Sequence, residues 1–196
     1  MLRGRGALGP PGTSPGAGVD EGVVHIRLRN MATIYIQSGD EMLLIRRVGS
    51  RLFKGAIWSG VGGHFELPEA GDPLRCVLRE LHEETGLGEQ DVSGLALRYI
   101  TLRKAGDEIR QQYIFFAHLR EGVPCRIPNS CCEGDLRWVR TGDLFDRRMS
   151  LTNESCLRHY LNRGSRDRSI HVGAVAVRDG RPVLDWVAVE DFSEEQ

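Results

Sequence analysis

The chain has 196 residues, 40% hydrophobic and 27% charged, with a formal net charge of −1. That length and balance suit one domain with its own core plus tails, and no run approaches the roughly 18 apolar residues that a membrane helix needs. The near-neutral charge sets long nucleic acid low as a partner, because such binders carry a basic excess.

Residues 1–22 hold ten Gly and Pro residues. Such a segment buries too little apolar surface to offset its ordering entropy, so residues 1–30 are expected to form a disordered or extended leader. Arg3 and Arg5 are followed by no apolar stretch, so a secretory signal is not expected. Val24 to Arg29 alternates apolar and polar residues, as an edge strand or part of the leader. Thr33–Gln37 and Met42–Arg46 read as strands across a Ser38-Gly39-Asp40 turn, and Trp58–Gly63 as a short strand ending in glycines. A helix is predicted from Pro73 to Thr85.

Leu95–Leu102 and Ile109–Leu119 form the next strand pair, Leu136–Arg140 a short strand and Thr152–Leu161 a second helix. Val172–Val177 and Val183–Val189 flank Asp179-Gly180, a strong hairpin signal, and an acidic tail ends the chain. Strands mixed with two helices predict an α/β sandwich. The expected domain spans 31–163, with 164–196 as a hairpin extension packed on it. The five cysteines, at 76, 125, 131, 132 and 156, fit no paired metal-ligand spacing and read as reduced thiols of a cytoplasmic protein.

The chemistry is concentrated between Gly60 and Leu87. Asp72 suits the helix N-cap, Pro73 the first helical position and Gly86 the C-terminal cap. Leu74, Val77, Leu78, Leu81 and Thr85 form the core-facing stripe. Glu80, Glu83 and Glu84 follow i, i+3, i+4 spacing on a neighbouring face, where like charges repel by about 0.2–0.5 kcal/mol per pair. A hard divalent cation with oxygen ligands would relieve that repulsion. The bland alternative is a solvated acidic face. Gly62-Gly63, just before the helix, favours a ligand site, because glycines let backbone approach a ligand closely.

This stretch resembles the Nudix box: Gly, five residues, Glu, seven residues, then Arg-Glu-apolar-x-Glu-Glu-x-Gly-apolar. Arg79, Glu80, Leu81, Glu83, Glu84, Gly86 and Leu87 match the second half, and Gly63 with Glu69 the first. Nine residues separate Glu69 from Arg79, two more than the pattern, which leaves the role of Glu69 open. The resemblance implies an α/β/α sandwich with a mixed sheet. It implies a metal site of Glu80, Glu83, Glu84 and the Gly63 carbonyl, filled by Mg²⁺ or Mn²⁺. Glu80, Glu83, Arg79 and Glu133 are the implied catalytic group: Arg79 orients a box glutamate, and Glu133 is the acid recruited from a loop before a later strand. The implied activity is hydrolysis of a phosphoanhydride in a nucleoside diphosphate linked to another moiety. Metal polarises phosphate and water while a carboxylate takes a proton, and crowded carboxylates make metal affinity rise with pH.

An isopentenyl-diphosphate-isomerase-like enzyme needs an available cysteine, and periodicity places Cys76 toward the core. A non-catalytic nucleotide-sensing module commonly lacks box glutamates that are all present here. Family members favouring ADP-ribose often carry a proline about 16 residues after the box; the neighbourhood of Leu102-Arg103 has none. The resemblance also admits a homodimer. Lys54, Arg46 and Arg47 are candidate phosphate contacts, more simply read as solvated surface. Trp58 and Tyr113 are candidate base-stacking rings, more simply read as core.

Overall fold

A computed structural model of the chain describes residues 25–48, 55–124 and 127–191. The Gly/Pro-rich leader through residue 24, Lys54, Cys125 and the last five residues of the acidic tail lie outside them. Ten strands and two α-helices follow in order: β1 Arg27–Ser38, β2 Glu41–Val48, β3 Ala56–Ser59, β4 Val61–His64, α1 Pro73–Thr85, β5 Val92–Ala105, β6 Glu108–Leu119, β7 Ser130–Cys131, β8 Gly134–Arg140, α2 Leu151–His159, β9 Ile170–Arg178 and β10 Arg181–Val189. A π-helical turn, Tyr160–Gly164, extends α2.

The sheet runs β10-β9-β5-β6-β1-β2-β8-β7, with β3 on β2 and β4 on β1. It is mixed: β1–β6 and β5–β9 are parallel, and the other pairs are antiparallel. Strands β1 and β2 pair only near their turn, at Gln37↔Met42 and Ser38↔Glu41. Beyond that they diverge, and β3 and β4 occupy the widening gap against β2 and β1 respectively.

Side chains alternate across these strands, and both faces are covered. Ala32, Ile34, Ile36, Leu43 and Ile45 join Val77 and Leu81 of α1 in one core. Tyr35, Met42 and Leu44 join Leu157 of α2 and Tyr160 of the π turn in the other. This is the α/β/α sandwich expected, each buried Leu or Ile contributing about 1.5–3 kcal/mol. Helix α1 begins and ends where its caps predict: the Asp72 carboxylate accepts from the Arg75 N–H at 3.0 Å, and Gly86 has φ 77°. Leu74 departs from the predicted stripe and is exposed, and the buried stripe begins with Cys76 and Val77.

The alternating segment before Met31 belongs in part to β1, whose residues Arg27 to Asn30 pair with Glu108 to Gln111 of β6. Deleting residues 1–24 should leave the melting temperature unchanged, whereas a chain starting at Met31 should melt about 2–4 °C lower for each kcal/mol of ladder lost. Thermal denaturation of the two truncations checks this; equal melting temperatures would refute it.

Candidate active site

Glycines let α1 approach the sheet here. Gly62 has φ 145°, and a side chain there would overlap the Ala32 carbonyl. A side chain on Gly63 would overlap the carboxylate of Glu80. Strand β4 and α1 therefore come close enough for glutamates of the helix to be buried against backbone.

Glu80 and Glu84, one turn apart, are 7% and 3% exposed. Glu84 accepts from the Gly62 N–H at 2.9 Å and from Arg47 Nη2 at 3.2 Å. Arg47 Nη2 also donates to the Gly62 carbonyl at 2.7 Å and pairs with Glu133 at 2.7 Å. Glu133 lies in the β7–β8 turn, and one oxygen each of Glu80, Glu84 and Glu133 lie within 4.8 Å of one another. Among the described residues this is the cluster able to hold a divalent metal. Burial pushes the Glu84 carboxyl up to about 7; Glu133 and Glu80 push the same way, against Arg47 and the Gly62 N–H. Burial likewise raises Glu80, opposed by Arg79.

Glu83 takes a different direction. Its side chain is 56% exposed and bonds Arg79 Nη1 at 2.9 Å. The three box glutamates thus do not share one face: two point inward beside Glu133, and Glu83 points toward solvent. Gly63 supplies the space that Glu80 occupies.

Arg79 is the hub on the outer side. It grips Glu69 with two bonds, at 2.6 and 3.0 Å, and also bonds Glu80 and Glu83, both at 2.9 Å, and the His64 carbonyl at 3.1 Å. The longer Glu69–Arg79 interval is absorbed before α1: Leu67–Glu69 forms a 3₁₀ turn, and the chain then turns through Ala70-Gly71 to the Asp72 cap. Glu69 also accepts from the Glu66 N–H at 2.9 Å. The two extra residues therefore leave its carboxylate facing Arg79.

Arg47, which reads from sequence as solvated surface, instead holds Gly62, Glu84 and Glu133. A signal existed: it shares parity with Leu43 and Ile45 on β2, which face the α1 core. Trp58 borders a cavity on the other face. Tyr113 stacks on Phe65 at 5.5 Å beside the α1 core, as packing predicts. Cys76 is fully buried, and burial pushes its thiol up to about 12.

The Arg79 pairing holds Glu69 well below its ordinary 4.5, at about 2. A depressed folded-state pKa gives stability that is complete above the unfolded value and lost as pH falls toward the folded one. Glu69→Gln should therefore cost about 1–3 kcal/mol at pH 7, and the gap to the parent should narrow between pH 4.5 and 2. Urea denaturation across pH measures this; a gap independent of pH would refute it.

The NUDIX domain family model matches residues 27–160. Among solved structures, the MutT protein of Bacillus halodurans is similar at TM-score 0.60 and 20% identity, over 82% of this chain and 97% of that one. A NUDIX hydrolase from Nitrosomonas europaea is similar at TM-score 0.59 and 14% identity, over 77% and 80%. A MutT NUDIX hydrolase from Burkholderia pseudomallei is similar at TM-score 0.53 and 22% identity, over 67% and 97%. No curated protein matches the chain significantly. No helix of the described residues is long and apolar enough to cross a membrane. The box residues, the sandwich that carries them and a family match spanning most of the chain agree: the chain belongs to the NUDIX domain family and is a Nudix hydrolase.

Proposed function

We propose that the chain is a Mg²⁺-dependent hydrolase that cuts the phosphoanhydride bond of a nucleoside diphosphate linked to another moiety. The observation that supports this most is the convergence of Glu80, Glu84 and Glu133 within 4.8 Å. Three carboxylate oxygens are a hard donor set of the kind Mg²⁺ takes, and Mn²⁺ suits it too. The raised Glu84 carboxyl supports the fit: burial and like charges make its ionised form costly with Arg47 as its only cationic partner among the described residues.

When bound, such a metal neutralises phosphate oxygens and lowers the pKa of a bound water. Glu80, Glu84 and Glu133 would hold it. Glu83 and Glu133, at 56% and 44% exposure, are the carboxylates able to take a proton from water and release it to solvent. Arg79 is a positioning residue, tying Glu80 and Glu83 to Glu69. The isomerase-like alternative is disfavoured, since the fully buried Cys76 thiol is out of a substrate's reach.

Glu84→Gln keeps nearly the same shape, and its amide oxygen can still accept from Gly62. It removes one of the charges that would hold the metal, so turnover should fall by about 10–100-fold or more, with a higher Mg²⁺ requirement and a melting temperature close to the parent's. The test measures phosphate release from nucleotide sugars, dinucleotides and nucleoside triphosphates with Mg²⁺, beside the exposed control Glu89→Gln. Parent-like rates for both variants would mean that the buried Glu84 is structural and takes no part in turnover.

A further inference from the structure

On the α2 side of the sheet lies a cavity of about 190 Å³. Its walls include Arg47, Arg103, Arg110 and the polar residues Thr101, Gln112 and Asn153, and no aspartate or glutamate. Arg103 on β5 is directly opposite Arg110 on β6. Like charges at such a position destabilise a sheet. One carboxylate outside the lining, Glu108, relieves part of this: it takes Arg110 Nε at 2.5 Å and approaches Arg29 Nη1 at 3.7 Å. Among the described residues no carboxylate forms an ion pair with Arg103. Burial and the neighbouring Arg110 both disfavour the charge Arg103 carries.

We propose that this cavity binds a second anionic group of the substrate, a phosphate monoester carried apart from the scissile phosphoanhydride, between Arg103 and Arg110. The inference rests on the hydrolase reading above and names the substrate class. Two arginines at directly opposite positions offer forked N–H donors for the oxygens of a phosphate monoester, which is nearly doubly charged at neutral pH. Arg47 marks the boundary with the acidic cluster: it borders the cavity, yet its Nη2 is committed to Gly62, Glu84 and Glu133. From β5 through β6 and β1 to β4 the backbone separation is three strand spacings, about 14 Å, part of which the arginine stems span.

The test uses matched probes without a phosphoanhydride, so binding is read apart from catalysis. The full chain is titrated calorimetrically with AMP, adenosine 2′,5′-bisphosphate and adenosine 3′,5′-bisphosphate. At least one bisphosphate should bind about 10-fold or more tightly than AMP, the scale expected of a charge-assisted pair. Arg103→Gln, alone and with Arg110→Gln, should erase that preference, and melting curves verify that each variant folds. Equal binding of AMP and both bisphosphates by the parent, no measurable binding of any of them, or a preference that survives in the folded Arg103→Gln chain overturns the proposal. A parallel assay of ADP-ribose and its 2′-phosphate with Mg²⁺ judges the hydrolase reading separately. No turnover of either would count against that reading and leave the binding result to decide the inference.

Discussion

Everything around the site follows from the difficulty of burying two carboxylates one helical turn apart. Glu80 and Glu84 are almost fully enclosed, and an enclosed negative charge is tolerated only with hydrogen-bond donors and cations in contact. Two arginines from opposite sides supply these. Arg47 reaches Glu84 from β2, and Arg79 reaches Glu80 from within α1. The Gly62 N–H adds a backbone donor. Neither arginine is free to serve one partner alone: each also holds an acid from elsewhere in the chain, Glu133 for Arg47 and Glu69 for Arg79. Loops distant in sequence are thereby fastened to one short stretch of helix.

The sheet makes the space for this arrangement. A continuous β1–β2 ladder would leave no gap for β4. Their divergence after Met42 admits β4, whose two glycines bring backbone against the helix. The same divergence lets β3 carry Trp58 to the cavity on the opposite face, so a single departure from regular pairing shapes both sides of the sheet.

Local features of the sequence were legible. The caps of α1 bracket it as read, because Asp72 and Gly86 act within one turn of their own backbone. The hairpin at Asp179-Gly180 forms for the same reason, with Asp179 and Gly180 both at positive φ. What sequence spacing could not separate was the direction of Glu83 from that of Glu80 and Glu84, since i, i+3 and i+4 all adjoin on a helix and only the position of β4 decides which are covered. Glu133 is reachable only through the family pattern, and Arg47 reads as surface because a charged residue near a strand end usually meets water. The start of β1 is indistinct because the alternation through Arg27, Leu28 and Arg29 covers no core, all three being exposed; their β6 partners lie about eighty residues further on.

That last pairing has a consequence for how the molecule is made. β1 lies between β6 and β2, and its parallel partner is synthesised long after it. A nascent chain that has emerged only through α1 has the β1–β2 turn, β4 and the helix, yet one long edge of β1 stays open, with Ile34 and Ile36 awaiting the rest of their core. Loop closure over such a separation is slow, and an open apolar edge invites the wrong neighbour meanwhile. The acidic cluster is completed later still, when the turn carrying Glu133 arrives, although Arg47, Gly62 and Arg79, which hold Glu84 and Glu80, come earlier in the chain.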